Sequence, residues 1–113
     1  MQGKLLRAHL GRADRCEGKP LYEAIVDRCR QMHVAGATVV SGLEGYGETG
    51  RIQRRRLTDP DEPVVVIVVD TAENIARLAP VLEAMIPTGA IAISDVEIRR
   101  IERSEGPSAS QPE

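Results

Sequence analysis

Residues 42–56 read Gly-Leu-Glu-Gly-Tyr-Gly-Glu-Thr-Gly-Arg-Ile-Gln-Arg-Arg-Arg and hold four glycines and four arginines. Glycine lets a backbone take φ > 0 and come close to a ligand. Arginine offers a planar, permanently charged fork that fits phosphate or carboxylate. With Gly45, Tyr46, Gly47, Arg51 and Arg54, the stretch reads as a candidate anion-binding loop. The same residues also suit a solvated hairpin tip, because exposed neighbouring charges in water repel by less than about 1 kcal/mol per pair. If a phosphate docks, each charged hydrogen bond supplies about 1.5–3 kcal/mol. Single-stranded nucleic acid calls for several aromatic platforms. Tyr46 is the one aromatic nearby and the net charge is −2, so nucleic acid is not the expected partner.

Other reactive side chains are sparse. Cys29 and His33 are four apart on a predicted helix, but zinc needs two further ligands. Core packing for Cys29 and a helix-end position for His33, where a cation suits the dipole, are expected instead. Cys16, beside Arg15 and Lys19, reads as an ordinary surface thiol, and His9 as a residue of a subunit interface. Glu44 and Glu48 straddle Gly45 and Tyr46 without pointing to acid–base chemistry, and Glu44 could instead order the loop by pairing with Arg51. There is no nucleophile elbow, metal motif or phosphate-binding loop of the Walker type. The expectation is a binding protein without catalytic residues, metal or resident cofactor.

The chain that must position these residues has 113 of them, 42% hydrophobic and 28% charged, enough for one small domain. Without Phe or Trp the core must be aliphatic. No apolar run approaches the length of a membrane span. The N-terminus lacks the apolar region of a signal peptide, and two cysteines make no disulfide framework, so a cytoplasmic protein is expected.

Residues 4–10 alternate as a strand, with Leu6, Ala8 and Leu10 on one side. Residues 11–18 read as a polar loop. Leu21, Ile25, Cys29 and Met32 then mark an amphipathic helix from about 19 to 33, with Pro20 in its first turn. Residues 37–43 are β-branched and predict a strand. After the glycine–arginine loop comes the apolar run 64–69, a strand with two apolar faces. Asp70 and Glu73 resemble a capping box. Ile75, Leu78, Leu82 and Met85 predict a second helix, which Pro80 should bend or leave with a separate first turn. Residues 91–98 form a last strand with an irregularity expected at Ser94 and Asp95, and residues 104–113 a disordered tail.

The order βαββαβ predicts a ferredoxin-like α+β sandwich over residues 1–103, an antiparallel four-stranded sheet with two helices on one face. The run 64–69 then leaves apolar side chains on the uncovered face, and each exposed one forgoes about 1.5–3 kcal/mol. Set against a typical stability of about 5–15 kcal/mol, that is large. Copies of the chain are expected to cover the face, as an obligate homo-oligomer.

Three segments, Gly18-Lys19-Pro20-Leu21-Tyr22-Glu23-Ala24-Ile25-Val26, Ala35-Gly36-Ala37-Thr38-Val39 and Gly42-Leu43-Glu44-Gly45-Tyr46-Gly47, together resemble an uncharacterised PII-like family, known as a domain of unknown function. The resemblance runs from about residue 4 to 102. It implies a homotrimer related to the PII nitrogen-regulatory signalling proteins, with nucleotides in the clefts between subunits and an effector loop before the third strand. Gly45, Tyr46 and Gly47 fall on the Gly-Phe-Gly that lies against nucleotide phosphates in that group. Thr88 and Gly89 fall on the start of the second phosphate-contacting loop, and Arg99 and Arg103 resemble basic residues reaching across from a neighbouring subunit. The Arg-Gln after the Gly-Phe-Gly is here Glu48-Thr49, and the Gly-Asp-Gly-Lys of the second loop is Ala90-Ile91-Ala92-Ile93. The resemblance therefore implies a signalling protein that binds a small anion, foremost an adenine nucleotide, and engages a partner protein through residues 45–57. A ligand-free structural or partner-binding trimer, and a divalent-metal-binding trimer of the cation-tolerance type, stay open as alternatives.

Overall fold

The computed structural model describes residues 1–41, 44–46, 52–54 and 62–103. Its elements are β1 (Gln2–Gly11), β2 (Arg15–Cys16), β3 (Lys19–Pro20), α1 (Leu21–Gln31), β4 (Ala37–Ser41), β5 (Glu44–Tyr46), β6 (Ile52–Arg54), β7 (Pro63–Asp70), α2 (Ala72–Met85) and β8 (Ala90–Glu97). The main sheet has the order β4-β7-β1-β8, antiparallel throughout, with β1 and β7 central. This is the expected ferredoxin-like arrangement.

Register explains the core. Leu6 lies opposite Val68, Ala8 opposite Val66 and Leu10 opposite Val64. These side chains are buried together with Leu21, Ile25 and Cys29 of α1 and Ile75, Leu78 and Leu82 of α2, so both helices cover one face. One residue along, Leu5, Arg7 and His9 lie opposite Val69, Ile67 and Val65, on the face without helices.

Several local expectations are corrected. The 11–18 loop contains a small hairpin: β2 pairs with β3 around Glu17 and Gly18, at φ 50° and 87°. Positive φ at both central residues is the geometry of a two-residue hairpin turn. Pro20 therefore ends β3 and stands at the N-cap of α1 instead of inside its first turn. At the other end of α1, His33 takes the left-handed conformation that glycine usually supplies, φ 60°. Its N–H donates to Arg30 O (3.1 Å) and that of Val34 to Cys29 O (3.2 Å), which closes the helix.

The capping box of α2 is not formed from Asp70. The N-cap is Thr71, whose Oγ1 accepts from the Asn74 N–H at 3.1 Å. Asp70 is the last residue of β7, nearly buried, and accepts from the N–H groups of Thr71 (2.6 Å) and Ala35 (2.8 Å). It thereby ties the entry to β4 onto the end of β7. Helix α2 is continuous through Pro80, without a separate first turn. Strand β8 pairs residue for residue with β1, from Ala90 opposite His9 to Glu97 opposite Gln2, so the irregularity at Ser94–Asp95 is absent. The 104–113 tail lies outside the described residues.

Candidate functional site

The glycine–arginine stretch leaves the sheet from β4, an edge strand whose last residue, Ser41, pairs with Val64. Where a loop is expected, β5 and β6 form an antiparallel ribbon. Gly45 lies opposite Gln53, Tyr46 opposite Ile52, and Glu44 opposite Arg54. Gly47, Glu48, Arg51, Arg55 and Arg56 lie outside the described residues.

The ribbon rejoins the sheet at a residue that sequence reasoning missed. Glu62, 1% exposed, accepts from Arg12 Nη1 at 2.8 Å, while its carbonyl accepts from the Arg12 N–H at 2.9 Å. The hydrogen bond and the charge of Glu62 raise the Arg12 pKa above its ordinary value. This clamp joins the turn after β1 to the start of β7. Two opposite charges fifty positions apart leave no local spacing pattern to find.

Thr88 and Gly89 form the short connection between α2 and β8. A Cβ at position 89 would collide with the His9 carbonyl oxygen, so the chain passes β1 at glycine distance. Together with Glu83, Ile86 and Pro87 these residues line an open cleft of about 430 Å³. Glu83 is its single ionisable side chain, and the last turn of α2 carries no basic residue.

Strand register places these segments relative to one another. Ser41, Val64 and Leu10 mark one end of the sheet, and Ala90, paired with His9, stands at the same end. The ribbon's root and Thr88–Gly89 therefore share an end but occupy opposite edges, three strand spacings or about 14 Å apart. Arg99 and Arg103 follow the far end of β8. That strand has eight residues. At about 3.3 Å per residue it holds Arg99, two residues beyond its end, some 25 Å or more from Thr88. The start of their segment is clasped by reciprocal bonds, from the Met1 amino group to Ile98 O (2.8 Å) and from the Ile98 N–H to Met1 O (2.7 Å). Arg99 is 83% exposed and its Nε donates to Glu97 Oε2 at 3.3 Å. One chain thus gathers two of the expected anion-contacting segments at one end of the sheet and leaves Arg99 at the other.

The remaining candidates fall into structural places. His9 is exposed on the helix-free face. Cys29 packs in the core, where burial pushes its thiol pKa up. Cys16 is half-buried against the same core, not an open surface thiol. Among the described residues no three His, Cys, Asp or Glu side chains come together as metal ligands. Burial acts to raise the Asp70 pKa, but hydrogen bonds from Thr71, Ala35 and the Asn74 side chain, with the charge of Arg77, together leave it lowered. No described helix is long and apolar enough to cross a membrane.

The DUF190 family, described as an uncharacterised ACR, matches residues 3–98. A UPF0166 protein of Aquifex aeolicus is 34% identical over 97 residues, 84% of this chain and 91% of its own. A UPF0166 protein of Methanocaldococcus jannaschii is 33% identical over 108 residues, covering 93% and 99%. Among solved structures, CPII of Thiomonas intermedia K12, bound to ADP and bicarbonate, superposes with a TM-score of 0.64 at 25% identity, over 88% of this chain and 91% of that one. The divalent cation tolerance protein of Thermus thermophilus reaches 0.58 at 17% identity, covering 90% and 88%.

Proposed function

Because the chain belongs to the DUF190 family, we propose that it is a PII-like regulatory protein that binds an adenine nucleotide between identical subunits. The observation that carries this reading is the division of the anion-contacting segments. Thr88–Gly89 and the root of the Gly45–Tyr46 ribbon share one end of the sheet, whereas Arg99 stands just past the other end of β8, in the segment that leads on to Arg103. A second copy must supply the arginines to complete a phosphate site.

The helix-free face gives copies a reason to associate. Val65, Ile67, Val69 and Leu5 are half-buried there and Val40 is 41% exposed. Burying apolar surface stabilises by about 25 cal/mol per Å². Closed rings form when one patch meets a different one on the next copy. The proposed assembly is a homotrimer, in keeping with the PII resemblance. ADP is the first ligand to test, since the CPII structure was obtained with ADP and bicarbonate. The bound phosphates would meet Gly45–Gly47 and Thr88–Gly89 of one copy, and Arg51 or Arg54 would order the ribbon around them. Residues 45–57 then engage a partner protein, an order–disorder type of switch.

Calorimetric titration tests the proposal with ADP, AMP, ATP, bicarbonate and divalent copper and zinc. Saturable heat from an adenine nucleotide, weakened by Arg54→Ala or Gly89→Val, is expected. Heat from a metal alone, or from none of these ligands, contradicts it.

A further inference from the structure

Strand β4 has the shortest hold on the main sheet. It pairs with β7 alone, over five residues from Ala37 opposite Val68 to Ser41 opposite Val64. Ala37 is half-buried against the core, whereas Thr38 to Ser41 are exposed, Val39 by 37% and Val40 by 41%. An element with one ladder and little buried apolar surface opens at a lower free energy than the core around it.

Glu62 and Asp70, the buried charged side chains among the described residues, stand at the two ends of β7 and hold different things. Glu62 precedes Pro63. Its carboxylate and its carbonyl grip Arg12 next to the Gly11–Pro63 pair, so this contact extends the central β1–β7 ladder. Asp70 instead accepts the Ala35 N–H on Oδ2 at 2.8 Å, two residues before β4 begins. The chain before Ala35 is fixed to the helices: the Val34 N–H donates to Cys29 O (3.2 Å) and Arg77 Nη2 to Met32 O (3.2 Å). Beyond Ala35, no residue of β4 makes a side-chain hydrogen bond or ion pair among the described residues.

We propose that β4 is a releasable strand, which leaves β7 as a unit when Asp70 lets go of Ala35 while the Arg12–Glu62 clamp and the rest of the sheet stay in place. The ribbon follows Ser41, four residues or about 13 Å along the strand from Ala37. Asp70 is thus a positioning residue for a ribbon rooted at the other end of β4. The release occurs in the ligand-free protein, whichever ligand or partner the ribbon meets.

Amide hydrogen exchange of the full chain, followed by NMR in low concentrations of urea, tests this. In wild type the β4 amides bonded to β7 should exchange about tenfold or more faster than those between β1 and β7, and with little dependence on urea. Along residues 64–68, alternate amides of β7 face β4 and β1, so their protection should alternate between the two classes. The two carboxylates should then behave differently. Asp70→Asn weakens a bond made only while β4 is docked, and should speed exchange in both β4 and the core about fivefold or more. Arg12→Lys weakens a clamp kept in both forms, and should speed the core while leaving β4 unchanged. Amides of β4 as protected and as urea-dependent as the β1–β7 ladder would mean that the strand opens only with the whole fold, and would overturn the proposal. Acceleration of β4 by Arg12→Lys, or none by Asp70→Asn, would overturn it as well.

Discussion

Strands β1 and β7 lay down two apolar faces with different fates. Under the helices, Leu6, Ala8, Val66 and Val68 have no accessible surface. One residue along the same strands, Leu5, Val65, Ile67 and Val69 are half-buried and share their side with Arg7 and His9. The covered face is completed by the chain's own α1 and α2, through Leu21, Ile25, Ile75, Leu78 and Leu82. Among the described residues no helix covers the open face. Central strands that are apolar on both sides fit the proposed association of copies, which would also bring together the segments proposed to contact an anion.

The sharpest way to break this comparison is a pair of substitutions one residue apart. Val66→Asp puts a carboxylate among fully buried side chains and should cost more than about 4 kcal/mol, enough to unfold the domain. Ile67→Asp puts the same group on the open face and should leave the fold intact while weakening association about 100-fold or more. Circular dichroism and sedimentation separate the two outcomes. If Ile67→Asp unfolds the chain, or leaves assembly untouched, the distinction between the faces is wrong.

A smaller effect is expected at Asp70, where the sheet meets both helix connections. Asp70→Asn weakens acceptance from Ala35 and Thr71, at a cost of about 1–3 kcal/mol in urea unfolding. The sign with pH follows from the lowered pKa. Asp70's contribution is complete above the unfolded carboxyl value near 3.9 and is lost as pH falls through that value toward the lower folded one. Between about pH 5 and 2, wild-type stability should therefore decline more steeply than that of Asp70→Asn. Equal slopes would remove Asp70 from this role. Thr71→Ala, which deletes the side-chain cap on α2, should cost about 1 kcal/mol without altering assembly.

How far these features are legible in the sequence differs between them for physical reasons. The alternation of Leu6, Ala8 and Leu10 and the helical spacing of Leu21, Ile25 and Cys29 are set by one buried face per element, so periodicity reveals them. The order of elements then limits the topology to the sheet found. The hairpin at Glu17–Gly18 was hidden because its strands have two residues each, too short for any alternation. Asp70 and Glu73 carry the spacing of a cap, yet Asp70 is held by Ala35, thirty-five positions away, and Thr71 does the capping. The Arg12–Glu62 clamp and the acidic cleft at Glu83 are tertiary juxtapositions with no local spacing to betray them. Of the candidate ligand residues, Thr88 and Gly89 line that cleft, Gly45, Tyr46 and Arg54 stand in the ribbon, and Arg99 and Arg103 belong to the segment that follows β8.

Sedimentation velocity at micromolar concentration bears most directly on the idea that copies of this chain complete one another. The expected result is a single species of three times the 12.3 kDa chain, whose nucleotide affinity falls when Ile67→Asp separates the subunits. A stable, folded 12.3 kDa species that binds ADP as well as any larger form would contradict it.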